Sequence, residues 1–65
     1  MKFVADYCVM RLPGPQEGRI KTVEFESENH LGTPKNRKDA WDSARKQEGE
    51  LLDGWYIRIG QVRVK

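Results

Sequence analysis

The 65-residue chain has one cysteine and one histidine. A lone Cys8 excludes an internal disulfide, and a short chain with a single thiol reads as intracellular. Cys8 and His30 match no zinc-ligand spacing. Cys8 falls inside an apolar run, where a small packed side chain belongs. His30 falls in a polar stretch that reads as loop, so the two read as a packed thiol and an exposed imidazole rather than a catalytic pair. No stretch approaches the roughly 18 apolar residues of a membrane span, and the N-terminus lacks the apolar run of a signal peptide. A cytoplasmic protein with no membrane partner is expected. Gly14, Gly18, Gly32, Gly49, Gly54 and Gly60 fit neither a dinucleotide fingerprint nor a phosphate-binding loop. The chain therefore calls for no cofactor, no metal and no catalytic residues, and a non-enzymatic protein is expected.

Apolar residues are also scarce, at 37% against 34% charged. A chain this short buries only about 60% of its unfolded surface, so one small domain spanning residues 1–65 must fold on a thin core. Two Trp, two Tyr and two Phe partly compensate. Oligomerisation or a partner can supply further burial, which leaves a monomer or a homodimer open. The charge is uneven: residues 1–32 hold four Lys/Arg against five Asp/Glu, residues 33–65 eight against five. That polarity is milder than the basic stripe of a dedicated nucleic-acid binder.

Three segments read as strands. Phe3 to Leu12 is almost continuously apolar, with Phe3, Ala5, Tyr7 and Val9 on one face and Val4, Cys8, Met10 and Leu12 on the other. Such a run suits a strand covered on both sides or placed centrally. Pro13-Gly14-Pro15 ends it and opens a loop to Gly18. Arg19 to Ser27 alternates, with Val23 and Phe25 inward and Thr22, Glu24 and Glu26 outward, so the two segments form an antiparallel hairpin. In Trp55 to Lys65 the apolar phase flips: Trp55, Ile57 and Ile59 are odd, Val62 and Val64 even. Gly60-Gln61 at the flip marks a β-bulge or a tight turn, and only a bulge keeps Arg58 and Arg63 on one face.

Between the second and third strands lies a helix. Thr33-Pro34 reads as an N-cap followed by proline at the first helical position; Asn36 with Asp39 is a rival start. Ala40, Trp41 and Ala44 share a face, with Trp41 as the anchor. The helix ends at Gly49, with Leu51 and Leu52 docking as a connector, or runs on to Gly54. The fold class is α+β: a three-stranded antiparallel sheet with one helix across a face, in the order β-β-α-β.

Two groups of side chains stand out as candidates for binding. Lys35, Arg37 and Lys38 sit at the helix start, where exposed N–H groups favour anions. Arg45, Lys46, Arg58, Arg63 and Lys65 would extend a basic patch if they converge. Tyr56 shares the phase of Arg58 and points away from the core, and both residue types are enriched at binding hot spots. Glu24, Glu26 and Glu28 read as a solvated acidic face rather than a cation site.

The segments Asp39-Ala40-Trp41-Asp42-Ser43-Ala44, Gly54-Trp55-Tyr56-Ile57-Arg58 and Val62-Arg63-Val64 resemble the small inhibitors of host RNA polymerase made by lytic podophages. The likeness spans less than half the chain. Small phage anti-CRISPR proteins are similar in size and element order. The resemblance implies a phage-encoded inhibitor that binds a bacterial host protein and occludes a nucleic-acid enzyme. It implies that charged strand residues, here Arg58, Arg63, Glu24 and Glu26, carry the contact. The expected partner surface comprises Tyr56, Arg58, Arg63, Lys35, Arg37 and Lys38. A small nucleic-acid binder built on the basic residues is the alternative.

Overall fold

The computed structural model describes residues 1–11 and 20–65. The Pro13-Gly14-Pro15 turn, the loop to Gly18 and the expected strand ends at Leu12 and Arg19 lie outside them. Strand β1 spans Lys2–Arg11, β2 Lys21–Glu26, helix α1 Pro34–Glu48 and β3 Trp55–Val64. The sheet order is β2-β1-β3, and both outer strands run antiparallel to β1. The long apolar strand is thus the central one, one of the two placements that its apolar faces allow.

The helix begins where the sequence places it. Thr33 caps it: its hydroxyl accepts the Asn36 N–H, and Pro34 occupies the first turn. It stops at Gly49, whose φ of 78° takes the chain out of the helix while its N–H bonds the Arg45 carbonyl. Leu51 then packs against the core, whereas Leu52 stays exposed.

The core lies between α1 and one face of the sheet. Phe3, Ala5 and Tyr7 of β1, Val23 and Phe25 of β2, Ile57 of β3 and Ala40 and Ala44 of α1 form it. The Phe3 and Phe25 rings stack at 5.4 Å, which follows from their direct pairing in register. Ala40 and Ala44 carry no accessible surface. Spaced four apart, they form a smooth stripe that lets the helix backbone approach the strands.

Trp41 is not the anchor the sequence suggested; it is 40% exposed. One position along a helix is a rotation of about 100°, so the residue after Ala40 leaves the buried stripe. The buried stripe continues instead through Asn36, four residues before Ala40. Trp55, although it shares the strand phase of Ile57 and Ile59, lies outside the core cluster. It is half-buried at the strand end under the Arg11 guanidinium, which lies 5.9 Å from the ring centroid. Ile57 takes the core position.

Gly60-Gln61 is a bulge within a continuous strand. Ala5 pairs with Val62 and Tyr7 with Ile59, so Asp6 alone faces two residues of β3. The extra residue moves the apolar phase by one, and Ile57, Ile59, Val62 and Val64 all fall on the helix side. A Cβ at residue 60 would stand 3.3 Å from the Asp6 carbonyl oxygen, so the close approach of the two strands favours glycine there.

Two polar networks lock α1 to the sheet. At its C-terminal end the buried Tyr7 hydroxyl donates to Glu48 Oε2 (2.5 Å) and accepts from Gln47 Nε2 (2.8 Å), while Lys21 Nζ donates to both Glu48 oxygens. The Tyr7 hydroxyl and then Lys21 hold the Glu48 carboxyl below the usual range. Burial first, then the bond to Glu48, pushes the Tyr7 phenol up. At its N-terminal end Asp39 Oδ2 accepts from Ser27 Oγ (2.5 Å) and Asn29 Nδ2 (2.8 Å), and these bonds depress its pKa. Buried Asn36 donates to the Asn29 carbonyl at 3.0 Å.

Candidate interaction surface

With α1 on one face, the opposite face of the sheet is bare among the described residues. Its side chains follow from register, because residues paired across strands share a face. Val4, Asp6, Cys8 and Met10 run down the centre on β1. Thr22, Glu24 and Glu26 lie beside them on β2. Tyr56, Arg58 and Arg63 lie on β3, and Lys65 follows it. Val4, Cys8 and Met10, interrupted by Asp6, therefore run between an acidic flank and a basic flank.

Two ion pairs cross this face. Arg63 grips Asp6 with both guanidinium nitrogens, at 2.8 and 3.1 Å, and the pair depresses the Asp6 carboxyl and raises the Arg63 guanidinium. Lys65 Nζ bonds Glu24 Oε1 and lowers the Glu24 pKa. Arg58 is exposed and has no ion-pair partner among the described residues. It borders a shallow depression of about 390 Å³ over the bulge, lined also by Asp6, Cys8, Met10, Ile20 and Gln61. Ile20, 77% exposed, and Tyr56, cross-strand from Met10, extend the apolar area.

The bulge brings Tyr56, Arg58 and Arg63 together on this face. Lys35, Arg37 and Lys38 lie elsewhere, on the first turns of α1 across the sheet. Arg37 is engaged with backbone: its guanidinium donates to the Ile59 carbonyl (3.0 Å) and the Gly60 carbonyl (3.2 Å). Lys38 pairs with Asp42 one turn on, at 3.4 Å, and Arg45 donates to the Gly49 carbonyl at 2.6 Å. The basic residues thus form two separate groups rather than one patch. The helix N-terminus has also spent donors internally, the Asn36 N–H on the Thr33 hydroxyl and the Arg37 N–H on the Thr33 carbonyl.

The strand edges are partly covered. Hydrogen bonds join Met1 with Ser27 in both directions, so by alternation Thr22, Glu24 and Glu26 direct their backbone groups away from β1. Gln47 Nε2 takes the Thr22 carbonyl at 3.0 Å. Arg37 occupies the equivalent carbonyls in the middle of β3. Helix side chains therefore blunt both outer strands against further strand pairing, and the open face is left as the broad accessible surface.

The contact surface expected from sequence does not include Val4, Cys8 and Met10. Their signal was present in the doubly apolar first strand: a single helix covers one face of a small sheet, so the second apolar row must face outward. Among the described residues no three His, Cys, Asp or Glu side chains cluster to hold a metal, and no helix is long and apolar enough to cross a membrane. No family model, curated protein or solved structure matches the chain.

Proposed function

We propose that the chain is a non-enzymatic protein-binding module that acts through the open face of its sheet. The observation that carries this reading is that, among the described residues, a three-stranded sheet is covered on one side. This leaves Val4, Cys8 and Met10 as an apolar centre flanked by Tyr56, Arg58 and Arg63 on one side and Glu24 and Glu26 on the other. A largely apolar centre within a charged rim is the anatomy of a protein interface, and Tyr and Arg are the residue types that anchor one. Together with the resemblance to podophage inhibitors, this supports a phage-encoded protein that occludes a bacterial nucleic-acid enzyme or complex in the host cytoplasm. Arg58 and Tyr56 serve as the anchors, and Glu24 and Arg63 set the register.

The alternative, a nucleic-acid binder, is weakened by the pairing of Arg63 with Asp6, Lys65 with Glu24 and Lys38 with Asp42, and by the separation of the basic groups across the sheet. Capture from a bacterial lysate tests the proposal. The wild-type chain and Lys35→Glu should retain a stoichiometric protein partner, and Tyr56→Ala or Arg58→Glu should lose it. Failure to recover such a partner, or its retention by Arg58→Glu, would refute the reading. Nucleic-acid affinity that falls steeply with salt would favour the alternative.

A further inference from the structure

We infer that the open face also closes on the same face of a second copy, in a two-fold dimer whose axis runs parallel to β1. The inference rests on reading this face as an interaction surface and names one partner for it. What points to a second copy is the order of charge across the sheet. The acidic flank on β2 and the basic flank on β3 lie on either side of the central row of Lys2, Val4, Asp6, Cys8 and Met10.

A half-turn about an axis parallel to the strands exchanges the two flanks. It lays β2 of one copy over β3 of the other. Glu24 and Arg63 both pair with Val4, so they stand at one level along β1, and Glu24 meets Arg63 of the second copy. Glu26 pairs with Lys2, whose carbonyl accepts the Lys65 N–H at 3.0 Å, so Glu26 meets Lys65 of the second copy. An axis across the strands would stack β3 on β3, basic flank on basic flank. The first arrangement sets opposite charges against each other on the flanks, as an isologous interface favours, and along the centre it brings Asp6 to Asp6, each neutralised by its own Arg63 at 2.8 Å. In the free chain Arg63 is held by Asp6 and Lys65 by Glu24, so dimerisation exchanges these pairs within one copy for pairs between copies.

The size of the face sets the strength. The Cα extents of 34 × 19 × 18 Å limit it to on the order of 600 Å² per copy, somewhat below the roughly 800 Å² per partner of a standard interface. The dimer is therefore reversible, and a tighter partner displaces it. It shields the apolar row of the free chain and releases it on engagement.

Sedimentation velocity over a concentration series reads the equilibrium as a shift from 7.6 kDa toward twice that mass. Facing sheets lie about 10 Å apart, so a bis-maleimide with a spacer of about 8 Å should join the two Cys8 thiols. Cys8→Ser should abolish that product. Glu26→Lys and Lys65→Glu should each weaken dimerisation roughly tenfold, and the double swap should restore it to within about threefold. A chain still monomeric at about 0.5 mM, no Cys8-linked dimer, or a double swap no better than either single variant would overturn the inference. A monomer that still captures a bacterial protein through Arg58 would overturn the dimer alone. An intact dimer that captures nothing would overturn the partner reading alone.

Discussion

Tyr7→Phe isolates the joint that holds the end of the helix to the sheet. The ring is 1% exposed and fills the core, and phenylalanine keeps that volume, so the substitution removes the hydroxyl and opens little cavity. Lost with it are the donated bond to Glu48 at 2.5 Å and the bond accepted from Gln47 at 2.8 Å. A hydrogen bond to a charged group contributes about 1.5–3 kcal/mol. The lower end applies here, because Glu48 keeps Lys21 and Gln47 keeps the Thr22 carbonyl. A loss of about 1.5–2 kcal/mol follows, or roughly 10 °C in Tm for a domain of this size. Urea or thermal unfolding followed by far-UV circular dichroism measures it.

The pH dependence adds a second check. The folded Glu48 carboxyl titrates below its unfolded value, so its stabilisation is complete above the ordinary carboxylate range and is lost as pH falls through the folded value. The gap between wild type and Tyr7→Phe should therefore narrow on acidification. A loss under about 0.5 kcal/mol at neutral pH, or a gap that widens in acid, would refute the assigned network.

Three further outcomes follow from the packing and the charges. Ala44→Leu should cost about 1–3 kcal/mol by forcing α1 off the sheet, whereas Trp41→Gln should cost less than about 1 kcal/mol because Trp41 lies outside the buried stripe; chemical denaturation of the two variants compares them. Gly60→Ala should destabilise by about 1 kcal/mol, since the new Cβ meets backbone of the central strand, and nuclear magnetic resonance should place its largest amide shifts at Asp6 and its neighbours. Asp6, Glu24, Asp39 and Glu48 are all depressed by native partners, so stability should be complete above the ordinary carboxylate range and fall with pH through their lower folded values; an acid titration in which stability rises would contradict those pairings.

The fold was legible in the sequence where it depends on local period. Alternation separates the strands, and Thr33-Pro34 and Gly49 bound the helix, because caps and dihedral limits act over a few residues. The phase flip at Gly60-Gln61 restricted the region to a bulge or a turn, and the register of β3 on β1 makes it a bulge. Illegible were features that depend on how distant segments meet. Tyr7 and Glu48 lie 41 residues apart, and nothing local says that the helix ends over that phenol. Asn36 read as a possible cap because polar residues favour helix starts, yet the cap at Thr33 turns it inward toward the Asn29 carbonyl. Trp41 misled because its size suggested burial while the alanine spacing set the helix rotation. Whether the basic residues converge into one patch cannot be read along the chain. The sheet divides them, and Arg37 is drawn to the carbonyls at the bulge.

The most direct test of the open face uses its own thiol. Cys8 is the chain's single cysteine and lies in the middle of that face. A bulky polyethylene-glycol maleimide on Cys8 should abolish capture of the proposed protein partner. The same adduct on Lys35→Cys in a Cys8→Ser background, across the sheet, should leave capture intact. Undiminished capture by the Cys8 adduct, with the fold preserved by circular dichroism, would contradict the assignment of the open face as the binding surface.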